Sequence, residues 1–264
     1  MASANGLIHI SQDCGMSTEV IEPYRLDRAN EYKLIMLGRA DVLSEKSLDL
    51  LNNYVKNGGS LVIASPETSG RFGFDIGDIR DELIYIEAEG ALAPIYTRYA
   101  PIYSTEDEEV IGKIYFNNYM HGKSYPAAVS KKVGSGRITA LAFDLGSAYP
   151  NNRTSCIRNF WKNMSFSLYS PLVMIGGSSY AEITLSEKHG RLLINLLNHA
   201  GEHAAPGARG YNEIPSIGPI NITINTAPEP KSIFIEPGHI EWNGDNRHLT
   251  LERLDIHSII SVGF

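Results

Sequence analysis

Four carboxylates of this chain stand at breaks in its apolar runs: Glu67, Asp75, Asp78 and Asp144. Paired carboxylates can cleave a glycosidic bond, one as acid and one as base or nucleophile, when rigid strand ends hold them roughly 5–10 Å apart. Glu67, Asp75 and Asp78 lie in the glycine-bearing stretch SPETSGRFGFDIGD, which reads as a loop. Asp144 closes the apolar run 138–143 and precedes Leu145-Gly146-Ser147, the pattern of a loop start or cap. Side chains able to stack on a sugar ring are Tyr119, His121, Trp161 and Trp242. Trp161 keeps helical spacing with Ile157, Phe160 and Met164, so it reads as core. Tyr119 and His121, with Trp242 in the turn-bearing run IEWNGD, are left as candidate sugar platforms.

Other reactive groups point to less chemistry. Of the eight histidines, His199 and His203 are four apart, but Gly201 between them and Pro206 beyond break a common helical face. No metal and no cofactor are expected. Cys14 has no basic neighbour to lower its pKa, and Cys156 falls among apolar residues. Two cysteines make no disulfide framework. There is no Gly-x-Gly-x-x-Gly or Walker pattern. Gly58-Gly59 precedes a strand rather than a helix, so it offers a phosphate no helix N-terminus. The stretch Val133-Gly134-Ser135-Gly136-Arg137 reads as a hairpin turn.

The elements that must position these groups divide into two halves, as 264 residues suggest. The first contains a complete β-α-β unit, YKLIMLGRADVLSEKSLDLLNNYVKNGGSLVIAS, over residues 32–65. A near-continuous apolar run reads as a strand covered on both faces and ends at Gly38. Ser44 stands as an N-cap, with Glu45 in the first turn to meet the helix dipole. Leu48, Leu51 and Val55 follow at helical spacing, with Tyr54 beside them, and Asn57-Gly58-Gly59 stops the helix before the strand 61–64. Upstream, residues 6–14 read as short helix or irregular chain and 18–21 as a strand. Downstream, 83–86, 96–103 and 112–117 read as β-structure, 126–133 and 137–143 as a hairpin, and a helix follows Thr154. A doubly wound sheet normally opens on a strand before its first helix, and that strand is not found.

The character changes near residues 171–179. Strands are expected at 180–185 and 191–198, joined at Glu187-Lys188-His189-Gly190, then at 220–225, 232–236, 240–242, 249–254 and 256–262. A Pro/Gly-rich connection covers 205–219. Short strands at this spacing predict a β-sandwich. The expected division is therefore an α/β domain at 1–176 and an all-β domain at 177–264.

Bulk properties exclude several partners. A net charge of −7 and the lack of a basic patch argue against nucleic acid. The acidic run Glu106-Asp107-Glu108-Glu109 reads as a solvated loop. No window approaches the ~18 apolar residues of a membrane span. The N-terminus MASANGLIHISQDCG has neither a basic region nor an apolar core of signal-peptide length. A cytoplasmic location is the expectation, and the sequons at Asn152, Asn163 and Asn221 then read as chance.

The run Tyr32-Lys33-Leu34, Leu43-Ser44 and Tyr54-Val55-x-x-Gly58-Gly59-x-Leu61-Val62 resembles the β-galactosidase trimerisation domain, an accessory domain of glycoside hydrolases. The Val133–Arg137 turn before an apolar strand and Asp144 is similar to its Gly-x-Gly-[Lys/Arg] hairpin. Arg191-Leu192-Leu193-Ile194-Asn195-Leu196-Leu197-Asn198, Glu213-Ile214-Pro215 and the closing strand from Ile256 resemble the β-sandwich that follows in such enzymes. The resemblance implies a flavodoxin-like, class I glutamine amidotransferase-like domain lacking its first strand. In amidotransferase-like folds a cysteine sits on a glycine-flanked strand-to-helix turn. Here that position reads Ala64-Ser65-Pro66-Glu67, without cysteine or glycines. The family's catalysis resides in an upstream barrel of about 250 residues, for which these elements leave no room. The leading expectation is thus the C-terminal, non-catalytic part of a glycoside hydrolase, with an upstream catalytic barrel or self-association as partners and no catalytic residue. A carbohydrate-binding module using Trp242 or the Tyr119/His121 loop is the second reading. A hydrolase using Glu67 and Asp75 is the third.

Overall fold

A computed structural model describes residues 2–40, 43–201, 212–238, 240–242 and 247–264, with 2 and 240–242 given by backbone alone. His203, His239 and residues 205–211 of the expected connection lie outside the described residues, as does the side chain of Trp242.

The chain forms two compact units. Unit 1 takes Met1–Ile10 and Val20–Tyr169, and unit 2 takes Ser11–Glu19 and Ser170–Phe264. The first helix, α1 (Ala2–Asp13), contributes residues to both.

Unit 1 continues through β1 (Leu34–Leu37), α2 (Glu45–Lys56), β2 (Ser60–Ile63), α3 (Pro66–Ser69), β3 (Asp75–Ile76), β4 (Arg80–Ala88) and β5 (Ala91–Tyr99). Then come β6 (Ile102–Tyr103), β7 (Glu109–Tyr115), β8 (Tyr125–Val133), β9 (Gly136–Leu141), α4 (Leu145–Ala148) and α5 (Ser155–Leu168). Seven strands form one sheet in the order β1-β2-β9-β8-β7-β4-β5. Only β1, β2 and β9 run parallel, and every other pairing is antiparallel. The fold is therefore mixed α/β, and its parallel part is one β-α-β crossover plus one added strand.

Local chemistry explains that crossover. The Ser44 hydroxyl accepts from the Ser47 N–H at 3.1 Å and caps α2. Leu48, Leu51, Tyr54 and Val55 are buried on one face. At the C-terminal end the Tyr54 hydroxyl donates to the Ser60 carbonyl at 3.0 Å, and its ring lies over Gly59. A Cβ on Gly59 would come 2.2 Å from that ring, so the second glycine of the stop signal is required by close approach. β2 is buried along its whole length, whereas β1 buries only Ile35. An edge strand has one neighbour, and this is why β1 is not covered as its apolar run suggested.

Two further differences are informative. Residues 18–21 form no strand, and Val20 is exposed: β-branched composition there met no partner edge. The helix expected at 6–14 is α1, starting four residues earlier.

Unit 2 contains β10 (Val173–Gly176), β11 (Ala181–Lys188), β12 (Arg191–Asn198), β13 (Ile220–Ile224), β14 (Ser232–Glu236), β15 (Ile240–Trp242), β16 (His248–Leu251) and β17 (His257–Gly263). They form two antiparallel four-stranded sheets, β10-β13-β16-β15 and β11-β12-β17-β14. Isoleucines, leucines and valines of both sheets share one buried core, including Ile175, Ile222 and Leu251 from one sheet and Ile183, Ile194 and Ile260 from the other. The β11–β12 hairpin turns at His189-Gly190, both with positive φ, which the strand twist favours. Asn198, 3% exposed, is the polar anchor of this unit. Its side-chain amide donates to the carbonyls of Pro215 and Asp255, and its oxygen accepts from the Ala200 N–H. In the same unit, Gln12 Nε2 donates to Glu182 Oε1 at 2.7 Å and Ser17 Oγ accepts from the Leu185 N–H.

Candidate functional site

Ligands of sheets with parallel strands gather at the carboxyl ends of those strands. In unit 1 these ends carry Gly38-Arg39 after β1, Ser65-Pro66-Glu67 after β2 and Asp144 after β9. One more residue is brought there from far along the sheet. The end of β5 turns back onto the extension of β9: Tyr99 bridges to Phe143, and the Asp144 N–H donates to the Arg98 carbonyl at 2.9 Å. Arg98 therefore reaches the end of β2, which its sequence position alone does not suggest.

The polar groups of this cluster bond in two sets, Ser65 with Glu67 and Asp144 with Ser3 and Ser147. Ser65 is fully buried, and its hydroxyl donates to Glu67 Oε2 at 2.8 Å. The other carboxylate oxygen of Glu67 meets Arg98 Nε at 2.5 Å, an ion contact outside hydrogen-bond geometry, and Arg39 Nε at 4.0 Å. Asp144, 1% exposed, caps α4 by accepting from the Ser147 N–H at 3.0 Å and from the Ser147 hydroxyl at 2.7 Å. It also accepts from the Ser3 hydroxyl of α1 at 2.8 Å. Ser3 Oγ in turn accepts from the Arg39 N–H at 3.1 Å. Backbone contact closes the same place: a Cβ on Gly146 would lie 2.0 Å from the Ser3 carbonyl, and one on Gly6 would lie 1.7 Å from the Gly146 carbonyl. The start of α1 thus occupies the crevice in which a ligand of a parallel sheet usually sits.

The residues singled out from the sequence fall in three places. Glu67 joins the cluster just described, in the first turn of α3. Asp75 is exposed on the short strand β3, paired with Tyr103, and Asp78 is exposed in the loop that follows. Tyr119 and His121 are brought together in the β7–β8 connection, their rings edge to face at 5.5 Å, with Tyr119 57% exposed. Trp161 is fully buried in α5. Sequence reasoning missed Arg98, Ser3 and Arg39 as members of the Glu67–Asp144 cluster. A hydrogen bond between residues 141 positions apart leaves no local signal.

Tyr54 and Tyr99, both buried, have their phenol pKa pushed up to about 12, chiefly by desolvation. Burial pushes the Cys156 thiol up, and this side chain donates to the Ile86 carbonyl at 3.4 Å as a packed, unreactive group.

No protein-family model matches the chain, and no curated protein matches it by sequence. Its fold is similar to that of solved glycoside hydrolases. α-L-Fucosidase isoenzyme 2 from Paenibacillus thiaminolyticus overlays with a TM-score of 0.78 at 14% identity, over 100% of this chain and 45% of that one. The β-galactosidase from Bacillus circulans sp. alkalophilus overlays with 0.57 at 13% identity, over 100% and 38%. Gan42B, a GH42 β-galactosidase, gives 0.58 at 12% identity, over 97% and 35%. The chain spans less than half the length of each of these proteins, and at such identities the likeness is one of fold. Among the described residues, no helix is long and apolar enough to cross a membrane.

Proposed function

We propose that this chain is a non-catalytic accessory region of a carbohydrate-active enzyme of the glycoside hydrolase kind. The observation that carries this reading is the closed strand-end cluster. A nucleophile or general acid must reach a substrate. Ser65 is fully buried and donates to Glu67, Glu67 faces Arg98, and Asp144 is occupied by three donors from Ser3 and Ser147. The fold likeness to parts of two β-galactosidases and a fucosidase supplies the carbohydrate context.

The finer reading takes residues 1–176 as an assembly domain of the β-galactosidase trimerisation type, on an amidotransferase-like scaffold without its nucleophile, and 177–264 as a β-sandwich. The Ser44 cap and the Tyr54-Gly59 stop support it, because they are the joints on which the resemblance rests. The partners are then copies of the chain or a catalytic barrel in the same enzyme. Incubating the chain with a panel of nitrophenyl glycosides is the test of the first part, with no turnover expected. Turnover that Glu67→Ala abolishes would overturn it. Light scattering after size exclusion tests the assembly role, and a strict monomer at micromolar concentration would remove that role.

A second reading is direct sugar binding at the exposed Tyr119–His121 pair. It predicts calorimetric binding to a glycan that Tyr119→Ala eliminates.

A further inference from the structure

Between the outer edge of β5 and residues 147–152 lies a cleft of about 410 Å³ lined by Asp81, Tyr96, Thr97, Arg98, Ser147 and Asn151 among others. That volume is within the ~300–1,000 Å³ usual for small-molecule sites. We propose that this cleft binds one or two rings of a neutral, hydroxyl-rich ligand, a glycosyl unit, through the backbone and ring of Tyr96. The inference rests on the carbohydrate-active reading and places recognition at Tyr96, which that reading does not use.

The backbone of β5 carries the argument. In an antiparallel pair, alternate residues turn their N–H and C=O groups away from the partner strand. Two members of that outward set already have partners: the Pro94 carbonyl accepts from Asn152 Nδ2, and the Arg98 carbonyl accepts from the Asp144 N–H. Tyr96 lies midway between them. By the same alternation its N–H and C=O face the cleft, and among the described residues nothing pairs with either. A donor and an acceptor fixed side by side match a vicinal diol, whose one hydroxyl donates while its neighbour accepts.

The width of this opening selects the occupant. From Pro94 to Arg98 the strand advances about 13 Å. Both ends are closed by the Asn152 and Asp144 bonds, so an extended peptide has no length over which to add a strand. Sugar rings need no more than this opening. The ring of Tyr96 is 70% exposed, a platform for the apolar face of a pyranose. Asp81 sits opposite Arg98 in register. With Glu67 and Arg39 behind Arg98, two carboxylates face two guanidinium groups. Their charges cancel, and such a site suits a neutral polyol better than an anion or a cation.

The test is a ligand-observed NMR titration of the full chain with the methyl glycosides of galactose, fucose, glucose and mannose. At least one is expected to bind in the millimolar range. Tyr96→Ala should weaken it about tenfold or more, Tyr96→Phe should retain it, and the matching glycoside with one diol hydroxyl methylated should lose it. Circular dichroism verifies that each variant folds. Binding by none of the four overturns the proposal. So does binding that Tyr96→Ala leaves intact and Tyr119→Ala removes, which moves recognition to the other loop and leaves the accessory reading standing. Glycoside turnover abolished by Glu67→Ala overturns the accessory reading instead, whatever the titration shows.

Discussion

The two ends of unit 1 at which chemistry could occur use their polar groups in opposite ways. At the carboxyl ends of β1, β2 and β9, Ser65 is bonded to Glu67 and Asp144 to Ser3 and Ser147, and the backbones of α1 and α4 touch at Gly6 and Gly146. Along the outer edge of β5, Tyr96 is exposed and Asp81 faces water. The difference shows that a scaffold can keep the geometry of a ligand crevice and fill it with its own helix. A buried polar network of this kind rigidifies when complete and is costly when broken.

Substitutions can break or sharpen that contrast. The largest effect is expected for Gly146→Ala, whose Cβ would stand 2.0 Å from the Ser3 carbonyl and push α1 from its seat. Urea unfolding should show a loss of about 4 kcal/mol. Asp144→Ala strands the three donors that now meet its carboxylate, and should cost about 3 kcal/mol in the same experiment, with Asp144→Asn recovering part of it. A cost no larger than that of a surface change would mean that the cluster is not the closed network described.

Alkaline titration probes the buried face of β5 together with α2. Tyr99 is 1% exposed with a phenol pKa of about 12, as is that of Tyr54, whereas an unfolded tyrosine titrates near 10. The neutral phenol is favoured in the fold, so this stability is complete below pH 10 and is lost as pH rises toward 12. Unfolding followed by tyrosinate absorbance should be cooperative in that window, and Tyr54→Phe should remove part of the pH dependence. Glu67→Gln is expected to cost about 1 kcal/mol, because Arg98 is partly solvated and screened. Tyr96→Ala should stay within ~0.5 kcal/mol of the parent in stability. A large loss there would mean that Tyr96 supports the fold rather than the cleft.

The β1-α2-β2 unit was legible because its signals are local: a cap at Ser44, apolar spacing through Val55, and two glycines that end the helix. The β11–β12 hairpin was legible for the same reason, with His189-Gly190 in a tight turn that takes positive φ at both positions. The direction of the remaining sheet strands was not. Residues 80–133 alternate well enough to be strands, but pairing them antiparallel around β9 depends on partners distant in sequence. The role of Asp144 as a cap could be read from Leu145-Gly146-Ser147. Its bond to Ser3 could not, nor could the approach of Arg98 to Glu67, which follows from the bridge between Tyr99 and Phe143. In the sequence Tyr96 is one more strand residue, since alternation tells which side a residue takes but not what stands opposite.

The division of α1 between the two units bears on the order in which the molecule can be finished. Ser11–Glu19 are made well before residues 170–264, yet they belong to the same unit. Gln12 must wait for Glu182, 170 residues later, before its side-chain bond can form. Closing so long a loop costs chain entropy that no local contact offsets beforehand. Unit 1 can complete its sheet while unit 2 is still being made, whereas the strands of unit 2 must find a partner segment synthesised about 150 residues earlier. Folding of unit 2 is therefore expected to close on residues 11–19, a segment made well before the strands it meets.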